Sequence, residues 1–165
     1  MAEKKYILSK DVAEKKLRRM ALQVAEENYD EPQLILIGIK ENGLVIANKI
    51  KAYLEEVYNG EVMVIELGIN KKKATDVKLN PATDFDGKTI LLIDDVANSG
   101  STMLYALKPL LETHPKKIQT LALVERTHKS FPVYVDYVGL SISTTQDEHI
   151  YVEVDNGELG GVWME

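Results

Sequence analysis

The chain has 165 residues, 45% of them hydrophobic and 28% charged, which is the composition of one soluble globular domain with a real core and excludes a disordered chain. It contains no Cys, which excludes disulfides, thiol catalysis and Cys-ligated metals, and its formal net charge of −6 argues against nonspecific coating of nucleic acid. No apolar run approaches the roughly 18–20 residues of a membrane span, and M-A-E-K-K-Y at the start has no apolar secretory core, so a cytoplasmic protein without a membrane partner is expected.

Residues 9–28 place Leu17, Met20, Ala21, Val24 and Ala25 on one face at helical spacing, which predicts a helix. Two caps compete at its start: a box of Asp11 with Glu14, and Ser9. Arg18 and Arg19 lie beside the apolar stripe, as residues of a solvated flank do. After Pro32, Leu34 to Ile37 reads as a short buried strand ending at Gly38. Ile39-Lys40-Glu41-Asn42-Gly43 follows, a loop with a lysine and bracketing glycines, suited to folding closely around an anion. A second helix carries Leu44, Ala47, Ile50, Leu54 and Val57 on its inner face. Asn59-Gly60 marks a turn, and Val62 to Leu67 a strand. From Gly68 to Gly87 periodicity is lost, and about 20 such residues read as a functional lid or a disordered loop. Lys71, Lys72 and Lys73 sit within it, read equally well as a solvated charge run or as a phosphate-seeking lid.

Ile90-Leu91-Leu92-Ile93 is an unbroken apolar run followed by adjacent carboxylates, Asp94 and Asp95. Ala97-Asn98-Ser99-Gly100-Ser101-Thr102 is a small-residue loop, and Leu104, Leu107 and Leu111 repeat at helical spacing. This predicts a buried parallel strand, a loop at its carboxyl end and a helix kinked or broken near Pro109. Ile118 to Val124 is a further strand, and residues 125–130 are a charged connection. Val133 to Gly139 alternates, with Val133, Val135 and Tyr137 on one side, as a half-exposed strand does. His149 to Val154 is a short strand, and Gly157, Gly160 and Gly161 give the following segment turn chemistry. His114, His128 and His149 show no metal-ligand spacing.

Strands alternating with helices predict an α/β fold, a central mostly parallel sheet with helices on both faces. The strands after residue 130 lack intervening helices, which suggests a small appendage or an antiparallel edge. No repeat, low-complexity tract or linker interrupts residues 1–165, so a single domain is expected.

Ligands of open α/β sheets bind at the carboxyl ends of strands. There the Ser99-Gly100-Ser101-Thr102 loop offers hydroxyls and backbone N–H groups to a phosphate, and the paired carboxylates suit Mg²⁺ or two sugar hydroxyls. Neither a Walker loop nor a G-x-G-x-x-G fingerprint is present.

The run I-L-L-I-D-D-V-A-N-S-G-S-T at 90–102 resembles the phosphoribosyl-diphosphate motif of the type I phosphoribosyltransferases. I-L-I-G-I-K-x-x-G at 35–43 and L-V-E-R-T-H-K-S-F-P-V-Y-V-D-Y-V-G at 123–139 extend the resemblance, nearest to the branch of pyrimidine operon regulators and uracil phosphoribosyltransferases. The resemblance implies a Rossmann-like domain. Asp94 and Asp95 would hold the ribose hydroxyls directly or through Mg²⁺, as catalytic and metal-binding residues. Residues 97–102 would cradle the 5′-phosphate, with Ala97 and Asn98 leading into the loop. Lys40, Glu41, Asn42 and Gly43 would wrap the diphosphate. A flexible lid over about 68–87 would close the site, and a hood over about 125–145, with Glu125 and Arg126, would cover the base. The implied activity moves phosphoribosyl from its diphosphate to a nucleobase, with uracil favoured; the implied assembly is a homodimer or larger homo-oligomer.

Several residues depart from the family pattern. Asn98 stands where the oxopurine enzymes hold an aspartate that handles the base proton, and Glu125 where they hold a lysine. Glu125 instead matches the carboxylate of the pyrimidine branch. K-E-N-G replaces that branch's K-T-R-G at residues 40–43, the lid lacks its Tyr-Arg pair, and Ser101 replaces an arginine. These changes motivate the alternative, a pyrimidine-operon-type RNA-binding regulator or nucleotide sensor with weak or no catalysis. Arg19, His128 and Lys129 resemble residues of that branch's basic face, but the net negative charge makes RNA the less favoured partner.

Overall fold

The computed structural model describes residues 3–70, 77–80 and 83–165; Lys71, Lys72 and Lys73 lie outside them. A four-residue strand, β1 (Lys5–Leu8), is too short to have shown a period in the sequence. α1 (Lys10–Glu27) starts at Ser9, whose Oγ accepts the Val12 N–H at 3.3 Å. The Asp11–Glu14 box does not form the cap. Glu14 is engaged across the helix pair, ion-paired with Lys49 Nζ at 2.8 Å and accepting from the Tyr53 hydroxyl at 2.6 Å.

β2 (Gln33–Ile39) runs directly into α2 (Lys40–Val57), with no loop between them. The expected anion loop at residues 39–43 is thus the end of a strand and the first turn of a helix. β3 (Glu61–Ile69) and β4 (Val77–Asn80) pair antiparallel, with Ile69 opposite Val77. The aperiodic 68–87 stretch therefore contains a strand. Then come β5 (Thr89–Ala97) and α3 (Ser101–Leu110), which ends one residue past Pro109, as the proline dictates. β6 (Lys117–Arg126), β7 (Tyr137–Ile142), β8 (Ile150–Asp155) and β9 (Glu158–Met164) complete the chain.

Six strands form the main sheet in the order β4-β3-β2-β5-β6-β7, parallel except for β4. Alternation along each central strand divides the core. Leu34, Leu36, Leu91 and Ile93 face α1 and α2, while Ile35, Ile37, Ile90 and Leu92 face α3. Both faces are covered, so these strands read as continuous apolar runs.

β7 differs from its expected place and direction. It begins at Tyr137 rather than Val133 and lies parallel to β6, without a crossover helix. Residues 133–136 are tied to β6 through a side chain: Thr120 Oγ1 donates to the Tyr134 carbonyl at 2.7 Å, and Asp136 Oδ2 accepts the Thr120 N–H at 2.9 Å. This irregular path puts Val135 on the α3 side and Tyr137 on the α1 side, so their expected common face does not form.

The appendage is a second, antiparallel sheet in the order β1-β9-β8. Asn156 and Gly157, both at positive φ (50° and 77°), make its hairpin turn. Gly160 and Gly161 lie inside β9, not in a turn. Within the 125–145 range drawn for the hood, residues 137–142 belong to the main sheet.

One close contact fixes where α2 meets the sheet. A Cβ on Gly43 would come 2.8 Å from the Ile93 carbonyl oxygen of β5. Gly43→Ala should therefore lower the unfolding free energy by about 1–3 kcal/mol, read as a lower denaturant midpoint at unchanged m-value; an unchanged midpoint would refute the close packing.

Candidate active site

The chain turns from β2 to β3 on one side and returns to β5 on the other, so β2 and β5 are neighbours at a topological switch point. Their carboxyl ends open into a cleft of about 940 Å³, the place where doubly wound sheets bind ligands. Lys40, Glu41 and Asn42 enter it from α2, Asp94 and Asp95 from β5, Asn98 from the connection after β5, and Ser101 and Thr102 from the first turn of α3. Eight of the predicted residues thus meet in one crevice, while Ser99 and Gly100 are not among its lining. Ala97 does not: it is buried in the α3-side core. Gly43 is also turned away, against β5.

Lys40 takes a left-handed φ of 54°, which lets α2 begin immediately after β2. Such a conformation costs a non-glycine residue roughly 1–2 kcal/mol, a strain of the kind concentrated at functional sites. The cap residue of α2, Ile39, supplies no side-chain hydrogen bond to it. Asn42 Nδ2 donates to Asp95 Oδ2 at 2.9 Å and to the Val152 carbonyl at 3.3 Å, joining α2, β5 and β8. Sequence reasoning gave Asn42 no such role, because only the fold brings β8 beside β5.

Asp94 is 8% exposed. Burial, and then the neighbouring Asp95 charge, raise its pKa well above the usual carboxylate range, while the Lys40 charge opposes them. Its Oδ1 accepts the Asp95 N–H at 2.8 Å, and Asp95 Oδ1 accepts the Val96 N–H at 2.7 Å.

α3 begins after Gly100, whose φ of 88° is left-handed and which, as the cap residue, has no side chain to offer. Ser99 Oγ accepts the Ser101 N–H at 3.2 Å, and the Ser99 carbonyl accepts from the N–H groups of Ser130 and Phe131, each at 3.0 Å. The turn after β6 is thereby stapled to the predicted phosphate loop. Helix amino termini carry partial positive charge and free N–H groups. Those of α2 and α3 flank one pair of carboxylates, and neither cap residue supplies a side-chain hydrogen bond.

Glu125 and Arg126 close β6 and do not line this cleft. Glu125 pairs with Lys129 and accepts from Ser141 Oγ at 3.0 Å. Arg126 grips the 144–148 segment, donating to Thr144 Oγ1 at 2.6 Å and to the carbonyls of Thr145 and Glu148 at 2.7 and 2.8 Å. The far wall of the cleft is Ile150, Tyr151 and Val152 of β8, unforeseen because a short alternating strand carries no site signal. Arg19 donates to the Val138 and Gly139 carbonyls at 3.1 and 3.3 Å, tying α1 to β7.

A family model described as "Phosphoribosyl transferase domain" matches residues 5–156. The chain belongs to the phosphoribosyltransferase family. Among its relatives, the bifunctional protein PyrR of Ligilactobacillus salivarius is 36% identical over 84% of this chain and 85% of its own. The pyrimidine operon regulatory protein of Lactococcus lactis subsp. lactis is 30% identical over 92% and 90%. The hypoxanthine phosphoribosyltransferase of Trypanosoma cruzi shares the fold with a TM-score of 0.79 at 15% identity, covering 99% of this chain and 98% of its own. No described helix is long and apolar enough to cross a membrane.

The raised Asp94 pKa sets a sign for stability. The folded protein keeps this proton to higher pH than the unfolded chain, whose value is near 3.9. Stability of the metal-free protein therefore falls as pH rises from about 4 through the folded pKa, and the loss persists at pH 7. Asp94→Asn should be more stable than the parent chain at pH 7, with the gap closing toward pH 4 in urea titrations with chelator. A less stable variant at pH 7 would contradict this.

Proposed function

We propose that this protein transfers the 5-phosphoribosyl group from phosphoribosyl diphosphate to a nucleobase, with uracil favoured, and releases diphosphate. One observation carries the reading: two helix amino termini, of α2 and α3, whose cap residues supply no side-chain hydrogen bond, face the same cleft on either side of Asp94 and Asp95. A substrate with a phosphate at each end and a diol between fits that order. The α3 terminus with Ser101 and Thr102 takes the 5′-phosphate, and the α2 terminus with Lys40 takes the diphosphate.

The carboxylates accept hydrogen bonds from the ribose hydroxyls. Two adjacent carboxylates, one buried beside the other's charge, also match the hard oxygen donors with which Mg²⁺ binds, since that ion uses one or two carboxylates plus substrate oxygens. Asp94 and Asp95 would hold it; when bound it supplies positive charge to the departing diphosphate. In the transfer, the bond from C1′ to the diphosphate oxygen breaks, its electron pair leaves with diphosphate, and a ring nitrogen of the base bonds to C1′ and gives its proton to solvent. The chain's contribution is to position both partners and to stabilise charge. The β3–β4 hairpin stands at the cleft mouth through Gly68, Ile69 and Asn70, where closure would exclude water.

Uracil is preferred because Asn98, at the cleft wall, is an amide and cannot take a base proton as a carboxylate does. The relatives named for pyrimidine regulation agree with this preference. The regulatory alternative is favoured by Glu41, exposed at the diphosphate end, where its charge opposes the leaving group. Its RNA version is weakened by Arg19, whose guanidinium is engaged with β7. A homodimer or larger homo-oligomer in the cytoplasm completes the reading; sedimentation tests the first.

Diphosphate release should require Mg²⁺ and proceed with uracil faster than with hypoxanthine, guanine or xanthine. Asp94→Asn with Asp95→Asn should fold yet lose at least about 100-fold in rate. Binding of phosphoribosyl diphosphate without turnover of any base would replace the enzyme by the sensor.

A further inference from the structure

Asn42 lies in the first turn of α2, next to Gly43, whose close approach to the Ile93 carbonyl sets the distance between that turn and β5. Its side chain spends both amide hydrogens inside the protein: Nδ2 donates to Asp95 Oδ2 at 2.9 Å and to the Val152 carbonyl at 3.3 Å. Its remaining polar atom, Oδ1, is an acceptor and cannot bond to a phosphate oxygen. A side chain expected to wrap the diphosphate is therefore committed elsewhere.

Asp95 is held at both oxygens. Oδ1 accepts the Val96 N–H at 2.7 Å and Oδ2 accepts from Asn42, which fixes the plane of the carboxylate. A carboxylate has about four acceptor sites, so two stay open for a ligand. The Val96 bond is local to β5, whereas the Asn42 bond crosses to it from α2. Val152 belongs to β8, an edge strand of the small sheet, and lines the far wall of the cleft. One amide thus sets the carboxylate and the wall at a single spacing.

We propose that Asn42 is a positioning residue for the sugar. It orients Asp95 to receive the ribose hydroxyls and holds the β8 wall at the matching distance, and its side chain leaves the diphosphate alone. That the ligand is a ribose rests on the transferase reading above; the tie from Asp95 to β8 does not. Substitution of Asn42 then weakens the diol end of the substrate and spares the diphosphate end.

Two probes carry one end each. Ribose 5-phosphate has the diol and no diphosphate, and inorganic diphosphate has no sugar. In calorimetric titrations of the full chain with Mg²⁺ present, Asn42→Leu, similar in shape but without donors, should weaken ribose 5-phosphate about tenfold and move diphosphate by less than about twofold. Asn42→Gln keeps both N–H groups on a longer arm and should recover part of the loss. Circular dichroism checks each fold, and Asn42→Ala repeats the test if the leucine is not accommodated. A leucine variant that binds ribose 5-phosphate as the parent does overturns the proposal, because the amide would then only fill space. Weakening of diphosphate as large as that of ribose 5-phosphate overturns it too, as does a glutamine variant that recovers nothing or a parent chain that binds neither probe. If the parent binds both probes and releases diphosphate with no base, the transferase reading falls, and the two probes still decide the role of Asn42.

Discussion

The approach of α2 to β5 organises this molecule. Gly38 and Gly43 carry no side chain where one would strike the backbone: a Cβ on Gly38 would lie 2.5 Å from the Leu44 Cα, and one on Gly43 would lie 2.8 Å from the Ile93 oxygen. Because the helix lies so close, its first turn opens beside the carboxyl end of β5 and not above it. The amide of Asn42 then reaches Asp95, and the Lys40 charge acts on Asp94. α1 makes the contrast. It contributes nothing to the cleft and is capped in the ordinary way by Ser9. In the two helices that open on the cleft, the cap residues Ile39 and Gly100 supply no side-chain hydrogen bond.

The site is built against local stability. Burying Asp94 next to Asp95 raises the energy of the charged form, and Lys40 holds a backbone conformation that most side chains avoid. The first cost would be relieved by positive charge or hydroxyl donors at the carboxylates; the second remains, and binding of an anion at the helix end it sets would offset it. Binding energy that relieves strain in place is well suited to a reaction whose catalysis is positioning and electrostatics.

The central strands and helices were legible because their faces are buried on both sides and their periods are unbroken. The segment from Ile90 to Thr102 announced a phosphate loop and paired carboxylates by residue type alone, and the fold put them in one cleft. Residues 39–43 were legible as a site but not as a shape, since no pattern reveals that Lys40 turns left-handed and lets a helix start at once. Tyr151 was illegible as a site residue for another reason. Its significance comes from pairing across the chain, β8 with β9. The direction of β7 was missed because Thr120 and Asp136 replace part of a regular ladder with side-chain bonds, which spacing cannot express.

The small sheet also has a temporal meaning. The floor of the cleft comes from successive strand–helix units whose contacts are close in sequence. Its wall at Ile150, Tyr151 and Val152 belongs to a sheet in which Lys5 pairs with the same β9 residue, Met164, as Ile150 does. Contacts so distant in sequence close late. During synthesis the floor of the cleft can therefore exist before the wall, and the cleft has no closed side there until β1 and β9 have met. One strand pairing thus decides when the assembled cleft first exists.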